Sequence, residues 1–140
     1  MYSIEVHDHM MIAHSFKGEL FGPAQALHGA TLEIYVTVIA KELDQYGVVA
    51  DFDRAKTVLH NIIAPLNYKN LDDLPQFSGK NTTTEFLCGY IFQSINGAIN
   101  LHQLGRPPEE LSRLRVTIEE SRNAKASFEA PINFSTPNAK

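Results

Sequence analysis

The sequence predicts an α+β fold: a four-stranded antiparallel sheet with two helices on one face, in the order ββααββ. Three observations lead there. Apolar and polar residues alternate with period two near both ends of the chain. The middle carries apolar residues at helical spacing. No internal repeat or low-complexity tract interrupts that order.

The first strand is predicted over Tyr2–Ile12. Ile4, Val6, Met10 and Ile12 fall on even positions, with Ser3, Glu5, His7 and His9 between them. Ser15–Leu27 holds Gly18, Gly22 and Pro23 and is predicted as a loop. Ala30–Ala40 is dense in β-branched and aromatic residues and forms the second predicted strand. A turn is expected near Gly47.

Asp53–Leu66 is predicted as the first helix. Ala55, Val58, Leu59, Ile62 and Ile63 supply its apolar face, Asp53 is the expected N-cap, and Pro65 stops it. The second helix is predicted from about Thr82, where Thr82 and Glu85 have the spacing of a capping box. Phe86, Leu87, Tyr90, Ile91, Ile95 and Ala98 form its apolar face. LGRPPEEL is a loop, and strands follow at Leu114–Ile118 and Ala124–Phe128. The domain is assigned to residues 1–130 and a polar tail to residues 131–140.

Composition narrows the function. The chain has 140 residues, enough for one hydrophobic core. It has 12 basic and 16 acidic residues, a net charge of −4, and no basic footprint for nucleic acid. No apolar run is long enough to span a bilayer, so no membrane partner is expected. MYSIEVHDHMM lacks the basic-then-apolar layout of a signal peptide. Cys88 is the only cysteine, which excludes an internal disulfide and fits a cytoplasmic protein.

Chemistry-bearing residues are few. His14 follows the first predicted strand and His28 precedes the second, so both imidazoles could reach one point. They are either metal ligands or polar residues at strand ends, and a catalytic zinc site needs three protein ligands. His7 and His9 are expected to face away from the core, and His60 and His102 offer no ligand pattern. Glu119 and Glu120 are adjacent on a strand and point to opposite faces. One of them therefore faces the core side or a subunit interface. Thr82, Thr83 and Thr84 stand at a helix start, where they either cap the helix or bind a ligand. There is no Gly-rich phosphate loop and no GxSxG motif, and Cys88 is expected as a small buried apolar residue.

Several segments together resemble the 6-pyruvoyl tetrahydropterin synthase family, which includes bacterial 6-carboxy-tetrahydropterin synthase. IAHSF stands where that family has a histidine after its first strand, and LHGATLEIYVTV resembles its His-Gly-His and long strand. GVVADFDRAK resembles the segment that opens its first helix, and PLNYKNLDD the Leu-Asp-His segment that ends it. NTTTEFL resembles Asn-Pro-Thr-x-Glu-Asn-Leu, and VTIEESRNAKASF resembles the closing strands. The resemblance implies a tunnelling fold, in which trimers close a barrel and two trimers stack into a homohexamer. It also implies a pterin bound at subunit interfaces, a glutamate that anchors the ring, and three histidines that hold zinc. A Cys, Asp and His set moves protons.

Mapped residue by residue, the resemblance places the pterin anchor at Glu120, with Thr83 and Glu85 beside the ring. The zinc histidines fall on His14, His28 and Ala30, so a third ligand is missing and zinc is only a conditional cofactor. The proton-transfer set falls on Ala24, Asn67 and Tyr68, none of which keeps the family's residue type. Glu19, Tyr68 as an acid and His9 as a replacement ligand are the spare groups. The implied function is a diverged pterin-binding protein acting on the ligand's side chain as a lyase with altered catalytic groups. The alternative is a non-catalytic pterin or purine binder, and the third reading is a scaffold that keeps only the fold.

Overall fold

The computed structural model describes residues 1–133. Two long strands, β1 (Tyr2–His14) and β2 (His28–Ala40), pair antiparallel in one unbroken register from Tyr2↔Ala40 to His14↔His28. Both outrun their sequence-predicted bounds, so the two histidines expected just outside the strands are the last pair inside them. Every even residue of β1 from Val6 is on the buried side except Asp8, which is half-buried. His7 and His9 lie on the opposite face, as the alternation predicts.

β4 (Arg113–Ser121) pairs antiparallel with β2, and β5 (Ala124–Pro131) antiparallel with β4. A fifth strand corrects the expected four. β3 is the two-residue Lys69–Asn70, which pairs parallel with Ile12 and Ala13, and the sheet order is β3-β1-β2-β4-β5. So short a segment carries no alternation from which to read a strand.

α1 (Phe52–Ile63) packs over β1, and α2 (Thr84–Asn100) over β4 and β5. Ala55, Val58, Leu59 and Ile63 of α1 are buried, as are Leu87, Cys88, Ile91, Phe92, Ile95, Ala98 and Ile99 of α2. They meet Met10, Leu32, Ile34, Val36, Leu114, Val116 and Ile118 of the sheet in one core. Burial pushes the Cys88 thiol up to about 11, so it stays protonated and acts as a small apolar filler. The other sheet face is polar: Glu129 joins Arg113 and Arg115, and Thr37 donates to Glu5.

Both helix starts differ from the sequence expectation. Asp51, not Asp53, caps α1, and its carboxylate accepts from the main-chain N–H of Asp53 and Arg54. Thr83, not Thr82, caps α2 and accepts from Phe86 N–H. The capping box therefore does not form. The predicted loops also contain 3₁₀ turns at Glu19–Gln25 and Pro108–Glu110. α2 ends in a Schellman motif. Gln103 N–H reaches the Ala98 carbonyl and His102 N–H the Ile99 carbonyl, with His102 held at φ 61° where glycine is usual.

The segment read as a tail from 131 begins inside the body. Pro131 ends β5, Ile132 is buried, and Asn133 exchanges hydrogen bonds with the side chain of Asn96. Residues 134–140 lie outside the described residues.

Asp51 satisfies two otherwise free amides of α1. Asp51→Ala should therefore cost about 1 kcal/mol, read as a lower urea midpoint with an unchanged slope.

Candidate functional site

The end of the β1–β2 ladder places His14 and His28 directly opposite each other on the helix side of the sheet. Their rings stand 4.6 Å apart, centre to centre, at 60°. Ala30 lies on the same face, two pairs inward opposite Ile12. Its methyl offers no donor. Phe16 packs against both imidazoles and Phe21 against Phe16, so the 3₁₀ turn folds an aromatic wall onto the pair. The Ala24 carbonyl accepts from Phe16 N–H and ties that turn down.

His28 Nδ1 donates to the Ala26 carbonyl at 2.9 Å. His14 Nδ1 lies 3.1 Å from the Thr82 hydroxyl, and its Nε2 is buried without a partner. Burial, and then the neighbouring His28, hold the His14 pKa below its ordinary value. The structure thus brings His14 and His28 together, with Thr82 behind them. Thr82 is a contact that the sequence hid, because the hydroxyl was read as a helix cap.

The second half of the site lies at the start of α2. Between β4 and β5 the register shifts: Glu119 pairs with Lys125 but Ser121 pairs with Ala124, which leaves Glu120 unpaired in a bulge. Glu120 and Glu85 line one open cleft of about 190 Å³ with Thr84, Ala124, Lys125 and Ala126. Glu120 is exposed in the single chain, because the two-residue hairpin turn after Ser121 leaves it at the sheet's rim. Thr83 is half-buried and its hydroxyl is used as the helix cap.

Thr82–Glu85 is one continuous stretch that touches His14 at one end and Glu120's cleft at the other. Its three steps span at most about 11 Å of extended chain.

Asn67 and Tyr68 stand elsewhere. The Asn67 side-chain oxygen accepts from Met11 N–H, and Tyr68 N–H donates to the Met11 carbonyl at 2.6 Å. They clip the edge of β1. The Tyr68 side chain is exposed, on a backbone at φ 61°. His9 lies on the opposite sheet face from His14, so it cannot complete a ligand set with it. Glu19 is exposed at the start of its 3₁₀ turn.

No group of three His, Cys, Asp or Glu side chains able to hold a metal ion occurs among the described residues. Two imidazoles fall one short of the three protein ligands of a catalytic zinc site, so this chain alone does not fit a zinc ion of that kind.

The direction of the His14 shift fixes a pH dependence. Its folded pKa lies below the ordinary 6.5, so between those two values the unfolded chain binds the extra proton. Stability should be constant above pH 6.5 from this source and fall as pH drops below it. Denaturant midpoints across that range, compared with His14→Gln, should show a shallower acid slope in the variant.

The family model for 6-pyruvoyl tetrahydropterin synthase matches residues 3–131. A comparison with curated proteins returned no match. Among solved structures, 6-pyruvoyl tetrahydropterin synthase from Caenorhabditis elegans is similar with a TM-score of 0.77 at 21% identity. The match covers 92% of this chain and 95% of that one. The enzyme of the same name from Plasmodium falciparum is similar with a TM-score of 0.72 at 18% identity, over 93% and 99%. An uncharacterised protein from Wolinella succinogenes is similar with a TM-score of 0.64 at 17% identity, over 91% and 97%. At these identities the structures establish the fold, and the match to nearly the whole described chain establishes more: the chain belongs to the 6-pyruvoyl tetrahydropterin synthase family.

Proposed function

We propose that this chain binds a pterin, or a related purine-like ring, in the cleft where Glu120 meets the first turn of α2, and acts on the ring's side chain as a lyase with altered groups. The observation that carries the reading is the continuity of Thr82–Glu85 between the histidine pair and the carboxylate cleft. A bicyclic ring held at one end leaves a short side chain to reach the other. Glu120 is unpaired in its bulge, and its two oxygens suit the adjacent amino and N–H donors of such a ring. Glu85 shares the cleft, and Thr83 shapes it by capping the helix.

The half-buried His28, with His14 packed beside it, is the group left to accept a proton or a hydrogen bond from the side chain. The scheme is written without zinc, because Ala30 removes a donor and no three side chains form a metal-holding group among the described residues. A non-catalytic pterin or purine binder is the second reading. It is favoured by one observation: Asn67 and Tyr68, at the family's proton-transfer positions, are engaged in holding β1. We further propose a cytoplasmic homohexamer built as two stacked trimers. The outer edge of β5, unpartnered among the described residues, and the ion-paired, helix-free sheet face support that assembly.

Binding of pterin itself, followed by fluorescence quenching, tests the anchor. Glu120→Gln removes charge-assisted hydrogen bonds worth about 1.5–3 kcal/mol, so affinity should fall about tenfold or more. Unchanged affinity would sink the anchoring role. Elemental mass spectrometry on protein purified without chelator should find far less than one zinc per chain. Near-stoichiometric zinc that disappears in His28→Ala would overturn the metal-free scheme and require a third donor from outside this chain.

A further inference from the structure

Thr82 is 1% exposed and His14 3%, so their contact is sealed from water. The Thr82 hydroxyl lies 3.1 Å from His14 Nδ1. The other ring nitrogen, His14 Nε2, is buried and meets no partner. On the neighbouring strand His28 is held from behind in the same way, by the Ala26 carbonyl at 2.9 Å from Nδ1. A carbonyl oxygen only accepts, so His28 carries its proton on Nδ1, and its Nε2 is a lone pair in the neutral ring.

We propose that Thr82 is a positioning residue whose hydroxyl oxygen accepts the Nδ1 proton of His14, fixing the tautomer in which His14, like His28, keeps an unprotonated Nε2 on the helix side of the sheet. A threonine hydroxyl can donate or accept, so the direction needs a second argument. His14 Nε2 is buried and meets no partner, so a proton there would be an orphaned donor, whereas a proton on Nδ1 has the Thr82 oxygen to receive it.

The consequence is chemical. His14 Nε2 is buried, so the half-buried His28 is the member of the pair open to a ligand, and its acceptor nitrogen favours a hydroxyl or amino group over a carboxylate or phosphate. That preference rests on the proposed ligand cleft; the tautomer does not. The motif that NTTTEFL resembles has a proline where Thr82 stands, and a proline has no hydroxyl to offer.

The test uses the full chain, free of ligand, labelled with ¹⁵N-histidine. Long-range ¹H–¹⁵N correlation spectra at a pH above 7 should show both His14 and His28 protonated at Nδ1. Thr82→Val, which keeps the shape and loses the oxygen, should shift His14 towards the Nε2–H form and leave His28 unchanged. Thr82→Ser should restore the wild-type pattern, which a purely space-filling role would not require. A wild-type His14 with its proton on Nε2 overturns the proposal, and so does a folded Thr82→Val protein with an unchanged tautomer. The wild-type spectrum decides even if the valine variant does not fold. No pterin enters the experiment, so its outcome is independent of the Glu120 test.

Discussion

The register between β1 and β2 is the constraint from which the rest of the molecule follows. It runs through 13 residues of each strand without a bulge, and it puts the even residues of both strands on the helix side. A slip of one residue would turn Met10, Leu32, Ile34 and Val36 out of the core. The same slip would separate His14 from His28. The hydrophobic core and the histidine pair therefore depend on one alignment, and the energy that fixes it comes from the core. Burial of a side chain such as leucine or isoleucine is worth about 1.5–3 kcal/mol, so several such pairs far outweigh the cost of two imidazoles held close together.

From that ladder the site is assembled by backbone events. β3 and the Asn67–Tyr68 clip pair with the edge of β1 just before His14 and hold its main chain in place. The turn at Glu19–Gln25 returns Phe16 and Phe21 over the rings. The approach to α2 delivers Thr82 to the back of His14 before Thr83 begins the helix. On the far side, the bulge before the β4–β5 turn frees Glu120 from any cross-strand partner. The β3 pairing and the β4–β5 bulge use main-chain geometry, so they tolerate wide change in side chains. That is consistent with a fold kept at 21% identity to a relative.

What the sequence discloses follows the same division. Alternation in Ile4, Val6, Met10 and Ile12, and helical spacing in Val58, Leu59 and Ile63, were legible because burial writes itself as period. Helix caps were legible only to within a residue or two: Asp51 and Asp53 both suit an N-cap, as do Thr82 and Thr83, and packing chooses between them. β3 and the bulge at Glu120 left no trace, because neither changes composition. The pairing of His14 with His28 was open to inference from the strand order. The role of Thr82 was not, because a threonine at a helix start reads as a cap whichever way its hydroxyl points.

Ala30 and Ala24 remove side chains without disturbing the backbone that carried them: Ala30 still pairs with Ile12, and the Ala24 carbonyl still holds Phe16. Asn67 uses its side-chain oxygen on Met11 N–H, a contact that a carboxylate oxygen would make equally well. These residues therefore cost the fold little, and they stand at positions to which the resemblance assigns metal binding and proton transfer. Glu120 and Glu85, the proposed ring-binding groups, line a cleft formed by a bulge and a helix start. Lys125 lines the same cleft, so the two carboxylates share it with a cation. The proposed function asks of this cleft a ligand rich in hydrogen-bond donors, which two carboxylates suit, and the neighbouring lysine leaves room for an acceptor on the same ring.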